Sequence, residues 1–174
     1  KKTLFIWPEG VFSGYSYNEI LNFKNLITNN FSKDHLILFG INILDKNSGN
    51  FYNSMIVVNH QLDIIQSYNK RRLVPFGEFL PFENLLTNFG LKKITEGYGS
   101  FLKGKESKNF LINELNILPL ICYEIIFTDL IQKSSGDTNL IVNISEDGWF
   151  GNTIGPDQHF AKSIFRAVRS EERR

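Results

Sequence analysis

The stretch His-Leu-Ile-Leu-Phe-Gly-Ile-Asn-Ile-Leu at residues 35–44 predicts a buried strand, because it is an apolar run of strand length. A second apolar run, residues 3–7, is closed by Pro8 and also predicts a strand, since no helix could finish in that space. Between the two runs, the apolar residues of segment 17–31 fall mostly at helical spacing, with Ser16 available as N-cap. Strand, helix and strand in this order form a βαβ unit, which indicates an α/β fold with helices on the face of a sheet.

The rest of the chain continues this pattern. Further elements are predicted as strands at 51–59, 62–68, 109–113, 117–123 and 140–144, helices at 124–133 and from 158 onward, and a glycine-rich loop at 148–156. Residues 45–50 have turn composition, so the strands that flank them predict a meander. No internal repeat or low-complexity linker divides the sequence, and we predict one domain over residues 1–174.

Length and composition exclude several classes of protein. A chain of 174 residues can bury a core without a metal or disulfide. Its one cysteine, Cys122, excludes an intramolecular disulfide and a Cys-rich metal site, and its three histidines show no paired metal-ligand spacing. The net charge of +1 lacks the positive field of a nucleic-acid binder. We therefore expect no metal, no cofactor and no nucleic-acid partner. No apolar run approaches the ~18 residues of a transmembrane helix, which predicts a soluble chain.

Three reactive side chains share one placement, at or just past the end of an apolar strand. They are Glu9, Lys70 and Cys122. In α/β sheets functional sites are built at strand ends. Each residue alone has a structural explanation, as a turn or capping carboxylate, a solvated lysine and a buried packing thiol. Together they suit acyl transfer, because Glu9 could take the proton of the attacking thiol and Lys70 could stabilise the resulting oxyanion.

Three short blocks of the sequence resemble the catalytic blocks of the nitrilase, or carbon–nitrogen hydrolase, superfamily. These blocks are Trp7-Pro8-Glu9, Tyr68-Asn69-Lys70 and Ile121-Cys122-Tyr123-Glu124, in that order. Within the superfamily, the long block YNKRRLVPFGEFLP at 68–81 is most similar to the bacterial apolipoprotein N-acyltransferases. The later blocks 147–151 and 155–160 match that branch in order, so the resemblance covers nearly the whole chain.

The resemblance implies both a fold and a set of site residues. The fold is an α-β-β-α sandwich, and the roles are general base for Glu9, oxyanion stabiliser for Lys70 and nucleophile for Cys122. Four further positions are implied to support the triad or shape the site: Asn53, Glu78, Tyr123 and Glu124.

The implied reaction is ping-pong acyl transfer. Cys122 takes an acyl chain from a membrane phospholipid as a thioester, and the α-amine of a diacylglyceryl apolipoprotein then accepts it. The implied partners are this donor, this acceptor and the membrane surface. The implied location is the bacterial inner membrane, with the catalytic domain facing the periplasm.

Some positions depart from the branch. Its members carry transmembrane helices ahead of the catalytic domain, whereas this sequence opens on the strand at 3–7 and stops within a predicted helix. Glu146 stands where asparagine is usual, and Asp157 stands where an aromatic residue is common. We therefore expect a partial domain, incomplete at both ends. Two alternatives stay open, a soluble nitrilase-type amidase and an inactive fragment.

Segment 76–102 is rich in aromatic and aliphatic residues. Phe82, Leu85, Leu86 and Phe89 fall at the i, i+3, i+4 and i+7 positions of one helical face. This face is predicted either to pack on the domain's own core or to contact lipid.

Overall fold

The fold is known from a computed structural model that describes residues 2–81, 99–105, 108–132 and 138–171. The strands are β1 Thr3–Ile6, β2 His35–Leu44, β3 Phe51–Asn59, β4 Ile64–Asn69, β5 Phe110–Ile112, β6 Leu115–Ile121 and β7 Leu140–Ile144. The helices are α1 Tyr17–Ile20, α2 Lys24–Asn30, α3 Thr128–Gln132 and α4 Gly155–Glu171. Short 3-10 turns occupy Leu21–Phe23, Cys122–Ile126 and Gly148–Phe150.

The strands form two sheets. The first has the order β1-β2-β3-β4, with β1 parallel to β2 and the remaining pairs antiparallel. The predicted βαβ unit and the predicted meander are therefore both confirmed. The second sheet has the order β5-β6-β7, in which β5 and β6 form an antiparallel pair and β7 runs parallel to β6.

The two sheets pack face to face, and each has helices on its outer face. Neighbouring residues of β2 divide between the layers, because Leu38 packs in the cluster between the sheets whereas Ile37 and Phe39 pack in the outer cluster with Ile20 of α1. On β6, Leu120 and its neighbours meet residues of the 3-10 turn and α3. The architecture is the α-β-β-α sandwich that the family resemblance implies.

Two predicted helices differ from those in the structure. The helix predicted at 17–31 is interrupted by the 3-10 turn that separates α1 from α2, while Ser16 is its N-cap as predicted. The Glu19 carboxylate accepts hydrogen bonds from the backbone N–H and the hydroxyl of Ser16, at 2.7 and 2.6 Å. The helix predicted at 124–133 starts instead as a 3-10 turn at Cys122 and is broken at Phe127, which has extended backbone angles.

Segment 76–102 is predicted either to pack on the core or to contact lipid, and most of it, residues 82–98, lies outside the described residues. Within the described ranges, no helix has both the length and the apolar character that a membrane crossing requires.

A buried carboxylate, Glu124, ties the two sheets together. Its Oε1 accepts hydrogen bonds from the backbone N–H groups of Arg71 and Arg72, at 2.7 and 3.0 Å, which follow β4. Its Oε2 accepts from the N–H of Ile121 at the end of β6, at 2.9 Å. The Tyr68 hydroxyl lies 2.9 Å from both oxygens. One side chain thus fixes the end of β4 against the end of β6.

Burial raises the pKa of Glu124, and the hydrogen bonds that it accepts oppose this effect. The pKa of Tyr68 is raised by burial and by the charge of Glu124, so the phenol remains a donor.

The aromatic cluster under α1 and α2 provides the first prediction. Phe39 is 0% exposed and contacts the rings of Trp7 and Phe12. Phe39→Ala leaves a cavity among these rings and is expected to lower the free energy of unfolding by about 3–5 kcal/mol in urea titrations. Phe160→Ala, at a residue 68% exposed, is the matched control and should change it by less than about 0.5 kcal/mol. Similar losses for the two variants would contradict this core assignment.

The second prediction concerns Glu124→Gln. The substitution replaces one acceptor oxygen by an NH₂ group that faces N–H donors, so buried donors lose their partner. We expect the free energy of unfolding to fall by about 2–4 kcal/mol, measured by urea denaturation. Glu114→Gln, at an exposed carboxylate, is the control and should have little effect. A Glu124→Gln protein as stable as this control would show that the hydrogen bonds of Glu124 contribute nothing to the free energy of unfolding.

Candidate active site

The three reactive residues predicted from the sequence lie at strand ends and converge. Glu9 follows β1, Lys70 follows β4 directly and Cys122 follows β6 directly. Lys70 Nζ lies 3.6 Å from Glu9 Oε1, and both charges act on the Cys122 thiol. Because Glu124 bonds Tyr68 and Arg71 on either side of Lys70, and Ile121 beside Cys122, the sheet tie also sets the position of the site.

Lys70 is buried between two carboxylates. Its side chain is 1% exposed, and Nζ donates to Glu78 Oε1 at 2.9 Å in addition to the ion pair with Glu9. Burial alone would lower the pKa of Lys70, but the charges of Glu9 and Glu78 outweigh it and raise the pKa above its ordinary value. The residue is therefore a fixed ammonium.

Asn53 of β3 links the two carboxylates. Its Nδ2 donates to Glu9 Oε1 at 2.8 Å and to Glu78 Oε1 at 2.7 Å. Glu78 is itself held by the turn after β4, where Oε2 accepts from the backbone N–H of Val74 at 2.8 Å. The resemblance implies that Glu78 supports the triad and that Asn53 shapes the site. In the structure Glu78 contacts Lys70 and Asn53 contacts Glu9.

Glu9 is positioned by close backbone packing. A Cβ at Gly40 of β2 would lie 2.5 Å from the Glu9 carbonyl oxygen, so only glycine lets this part of the chain approach β2. The Glu9 Oε2 accepts a hydrogen bond from the backbone N–H of Glu146 at 3.1 Å. The backbone of Glu9 is therefore packed against β2, and its carboxylate is held by Asn53 and by the loop after β7.

Cys122 is a buried thiol in a strained backbone conformation. It is 2% exposed, and its φ of 49° is in the left-handed region, which is unusual for a residue with a side chain. Burial raises the pKa of the Cys122 thiol, and the charge of Glu9 adds to this effect. Lys70, Ser145 and the backbone N–H of Tyr123 act in the opposite direction. The balance favours a thiol that keeps its proton at rest.

A polar cluster lies on the side of Cys122 that faces α4. His159 Nε2 is 3.0 Å from the Cys122 carbonyl oxygen, and Nδ1 is 2.9 Å from Asp147 Oδ1. The Ser145 hydroxyl donates to the same Asp147 oxygen at 2.5 Å. Asn143, with its amide oriented to satisfy both groups, donates to the carbonyls of Cys122 and Leu120 at 3.2 and 3.1 Å.

None of these four residues was assigned a role in the site from the sequence. Asp147 and His159 are twelve positions apart, on a loop and a helix, and no spacing rule joins them. Both belong to blocks that carried the family resemblance, which was the one available signal.

Within the described residues, Cys122, Asp147 and His159 are a potential metal-ligand set, with donor atoms within 4.8 Å of one another. Both ring nitrogens of His159 already face acceptors, the Asp147 carboxylate and the Cys122 carbonyl. A metal ion bound by His159 would therefore have to displace one of these two contacts of the ring. The cluster fits a hydrogen-bond network better than a metal site.

The remaining predicted residue, Tyr123, is partly buried and follows Cys122 in the 3-10 turn. Its ring packs edge-on against Phe127, with centroids 5.1 Å apart. Phe127 also lies 5.2 Å below the guanidinium of Arg72, which pairs with Asp129 at 2.7 Å. Tyr123 therefore helps to pack α3 against the turn after β4, while its backbone faces the thiol.

A cavity of about 240 Å³ opens onto the carboxylate side of the site. Its lining combines Glu9, Asn53 and Glu78 with the apolar side chains of Phe12 and Phe101. The site thus brings together a buried thiol, a carboxylate, a fixed ammonium and a cavity with both polar and apolar walls. Such a set can carry out nucleophilic acyl transfer without a cofactor.

Comparison with known proteins points to one family. The family model described as carbon-nitrogen hydrolase matches residues 3–171. The chain is also similar to proteins named apolipoprotein N-acyltransferase. The one from Rhizobium leguminosarum bv. trifolii is 47% identical over 122 residues, which cover 69% of this chain and 23% of that protein. The one from Rhizobium rhizogenes is 32% identical over 170 residues, which cover 95% of this chain and 32% of that protein. The chain thus spans about a quarter to a third of these relatives.

Solved structures with the same fold include a Saccharomyces cerevisiae protein of branch 10 of the nitrilase superfamily. It has a TM-score of 0.63 at 19% identity, over 95% of this chain and 58% of that chain. The glutamine-dependent NAD+ synthetase of Acinetobacter baumannii has a TM-score of 0.56 at 21% identity, over 82% of this chain and 26% of that chain. With the family match over almost its whole length and this shared fold, the chain belongs to the carbon–nitrogen hydrolase family.

Proposed function

We propose that this chain is the catalytic part of an apolipoprotein N-acyltransferase, in which Glu9, Lys70 and Cys122 act as a catalytic triad. The observation that carries the proposal is the convergence of a buried thiol, a carboxylate and a buried ammonium beside a cavity. The names of the relatives at 32–47% identity support acyl transfer to a lipoprotein amine as the reaction.

The donor half-reaction forms a thioester on Cys122. The sulfur attacks the ester carbonyl of a phospholipid, and Glu9 takes the thiol proton as the S–C bond forms. The negative charge that develops on the carbonyl oxygen is stabilised by the ammonium of Lys70. The ester C–O bond then breaks, and the departing lysophospholipid oxygen takes the proton back from Glu9.

The acceptor half-reaction returns the enzyme to its starting state. The α-amine of the diacylglyceryl-cysteine of an apolipoprotein attacks the thioester carbonyl, and Glu9 takes a proton from the amine. The C–S bond breaks to give an amide, and the Cys122 sulfur regains its proton. Between the two halves the thioester must be kept from water, and the buried position of Cys122 supports this requirement.

The chemistry of these substrates also indicates where the reaction would take place in the cell. A phospholipid donor and a lipid-modified acceptor both reside in a membrane, so the site would work at a membrane surface. We propose that the catalytic site lies at the periplasmic face of the bacterial inner membrane, where it would encounter diacylglyceryl apolipoproteins.

The central prediction is a covalent intermediate. After incubation with phosphatidylethanolamine vesicles, intact-mass measurement should show a fatty-acyl adduct on Cys122, and Cys122→Ala should abolish it. Addition of a diacylglyceryl-cysteine peptide should remove the adduct and yield an N-acyl peptide. Hydrolysis of small amides with no adduct from vesicles would instead identify a nitrilase-type amidase. A thiol that reacts with no acyl donor would identify an inactive fragment.

A further prediction separates the charge of Glu9 from its role as a base. Glu9 raises the pKa of the Cys122 thiol, so Glu9→Gln should lower that pKa and move the alkylation of Cys122 by iodoacetamide to lower pH. Acyl transfer should nevertheless fall about 10²–10⁴-fold, because the attacking thiol loses its proton acceptor. Glu114→Gln is the control for both measurements. Faster acyl transfer in Glu9→Gln would exclude Glu9 as the general base.

A further inference from the structure

The peptide unit that joins Cys122 to Tyr123 is held by hydrogen bonds to its carbonyl oxygen. Its carbonyl oxygen accepts hydrogen bonds from His159 Nε2 at 3.0 Å and from the Asn143 amide at 3.2 Å. Both donors come from outside the turn that contains Cys122, one from α4 and the other from β7. The carbonyl of a residue with a φ of 49° is thus tied to two other elements of the fold.

The opposite side of the same peptide unit faces the reacting atom. A trans peptide is planar, so its N–H and its C=O point in opposite directions and turn together. The N–H belongs to Tyr123, the residue bonded directly to Cys122, and it acts against the raised pKa of the Cys122 thiol. Any rotation that releases the carbonyl would therefore turn the N–H away from the sulfur and from an acyl group bonded to it.

We propose that His159 is a positioning residue that, by holding the Cys122 carbonyl, aims the backbone N–H of Tyr123 at the oxygen of the acyl group on Cys122. The N–H is then the second donor to the developing oxyanion, in addition to the ammonium of Lys70. This inference rests on the proposed role of Cys122 as nucleophile, and it assigns to His159 of α4 a role that acts through the Cys122 carbonyl.

His159 is itself locked in place, as a positioning residue must be. Its side chain is 9% exposed, and Nδ1 is fixed by the Asp147 carboxylate, which also accepts from Ser145. The backbone of His159 lies within α4, where its carbonyl accepts from the hydroxyl of Ser163 at 3.2 Å. The ring therefore has few ways to move, and its hydrogen bond to the carbonyl helps to stabilise the left-handed backbone conformation of Cys122.

A matched pair of variants tests the inference. The amide nitrogen of glutamine can replace Nε2 of His159, and that of asparagine can replace Nδ1. In His159→Gln the side-chain amide reaches about as far as Nε2 and can still donate to the Cys122 carbonyl. In His159→Asn it reaches about as far as Nδ1, so it can meet Asp147 but not the carbonyl. Both variants remove the imidazole, and circular dichroism melts establish that both are folded.

Two reagents that react with Cys122 distinguish the orientation of the Tyr123 N–H from the general reactivity of the thiol. Acylation by p-nitrophenyl butyrate passes through an oxyanion, forming an S–C bond and releasing p-nitrophenolate. Alkylation by iodoacetamide displaces iodide and passes through no oxyanion. We expect His159→Asn to slow acylation about 10–100-fold, as the loss of a well-aimed oxyanion donor does, while alkylation stays within about threefold of wild type. His159→Gln should retain most of the acylation rate.

Three results would overturn the inference. Equal losses of acylation in the Gln and Asn variants would show that the carbonyl contact is not what matters. Parallel losses in acylation and alkylation would show a general effect on the thiol or its environment. A wild-type protein alkylated at Cys122 but not acylated by the ester would overturn the nucleophile assignment itself, which the failure of His159→Asn alone would leave intact.

Discussion

The relative position of Lys70 and Cys122 depends on the hydrogen bonds of one buried carboxylate. Glu124 is 0% exposed, and it bonds residues on both sides of Lys70 and the residue before Cys122. Lys70 and Cys122 come from different sheets, so no local interaction along the chain could set their separation. A charge buried at the junction of the two sheets does so, because its unmet hydrogen bonds would cost several kcal/mol if the ends of β4 and β6 moved apart.

The charges of the site are arranged around a thiol that is unreactive at rest. Lys70 is shared by Glu9 and Glu78, so much of its positive charge is already balanced before substrate binds. The thiol therefore receives little help from Lys70 in losing its proton, and burial and Glu9 act against ionisation. This arrangement favours proton transfer from the thiol during attack over a thiolate that exists before substrate binds.

Much of the fold and part of the site could be predicted from the sequence. The strands at 35–44 and 51–59 are long apolar runs, so their existence and pairing followed from pattern and turn composition. The placement of Glu9, Lys70 and Cys122 followed from the rule that sites form at strand ends. The role of Asn53 rested on resemblance alone, since a lone polar residue in a strand carries no local signal. The cluster of Asp147 and His159 could not be predicted, because it depends on how α4 packs against the turn at Cys122.

The donors that reach Glu124 have one further property in common. Apart from the Tyr68 hydroxyl, they are backbone N–H groups, from Arg71, Arg72 and Ile121. A backbone donor is present whatever side chain the residue carries, proline excepted. The three backbone hydrogen bonds that align the site therefore do not depend on which side chains residues 71, 72 and 121 carry. Those side chains are left to do other work, as Arg72 does when it pairs with Asp129 and Ile121 when it packs between the sheets.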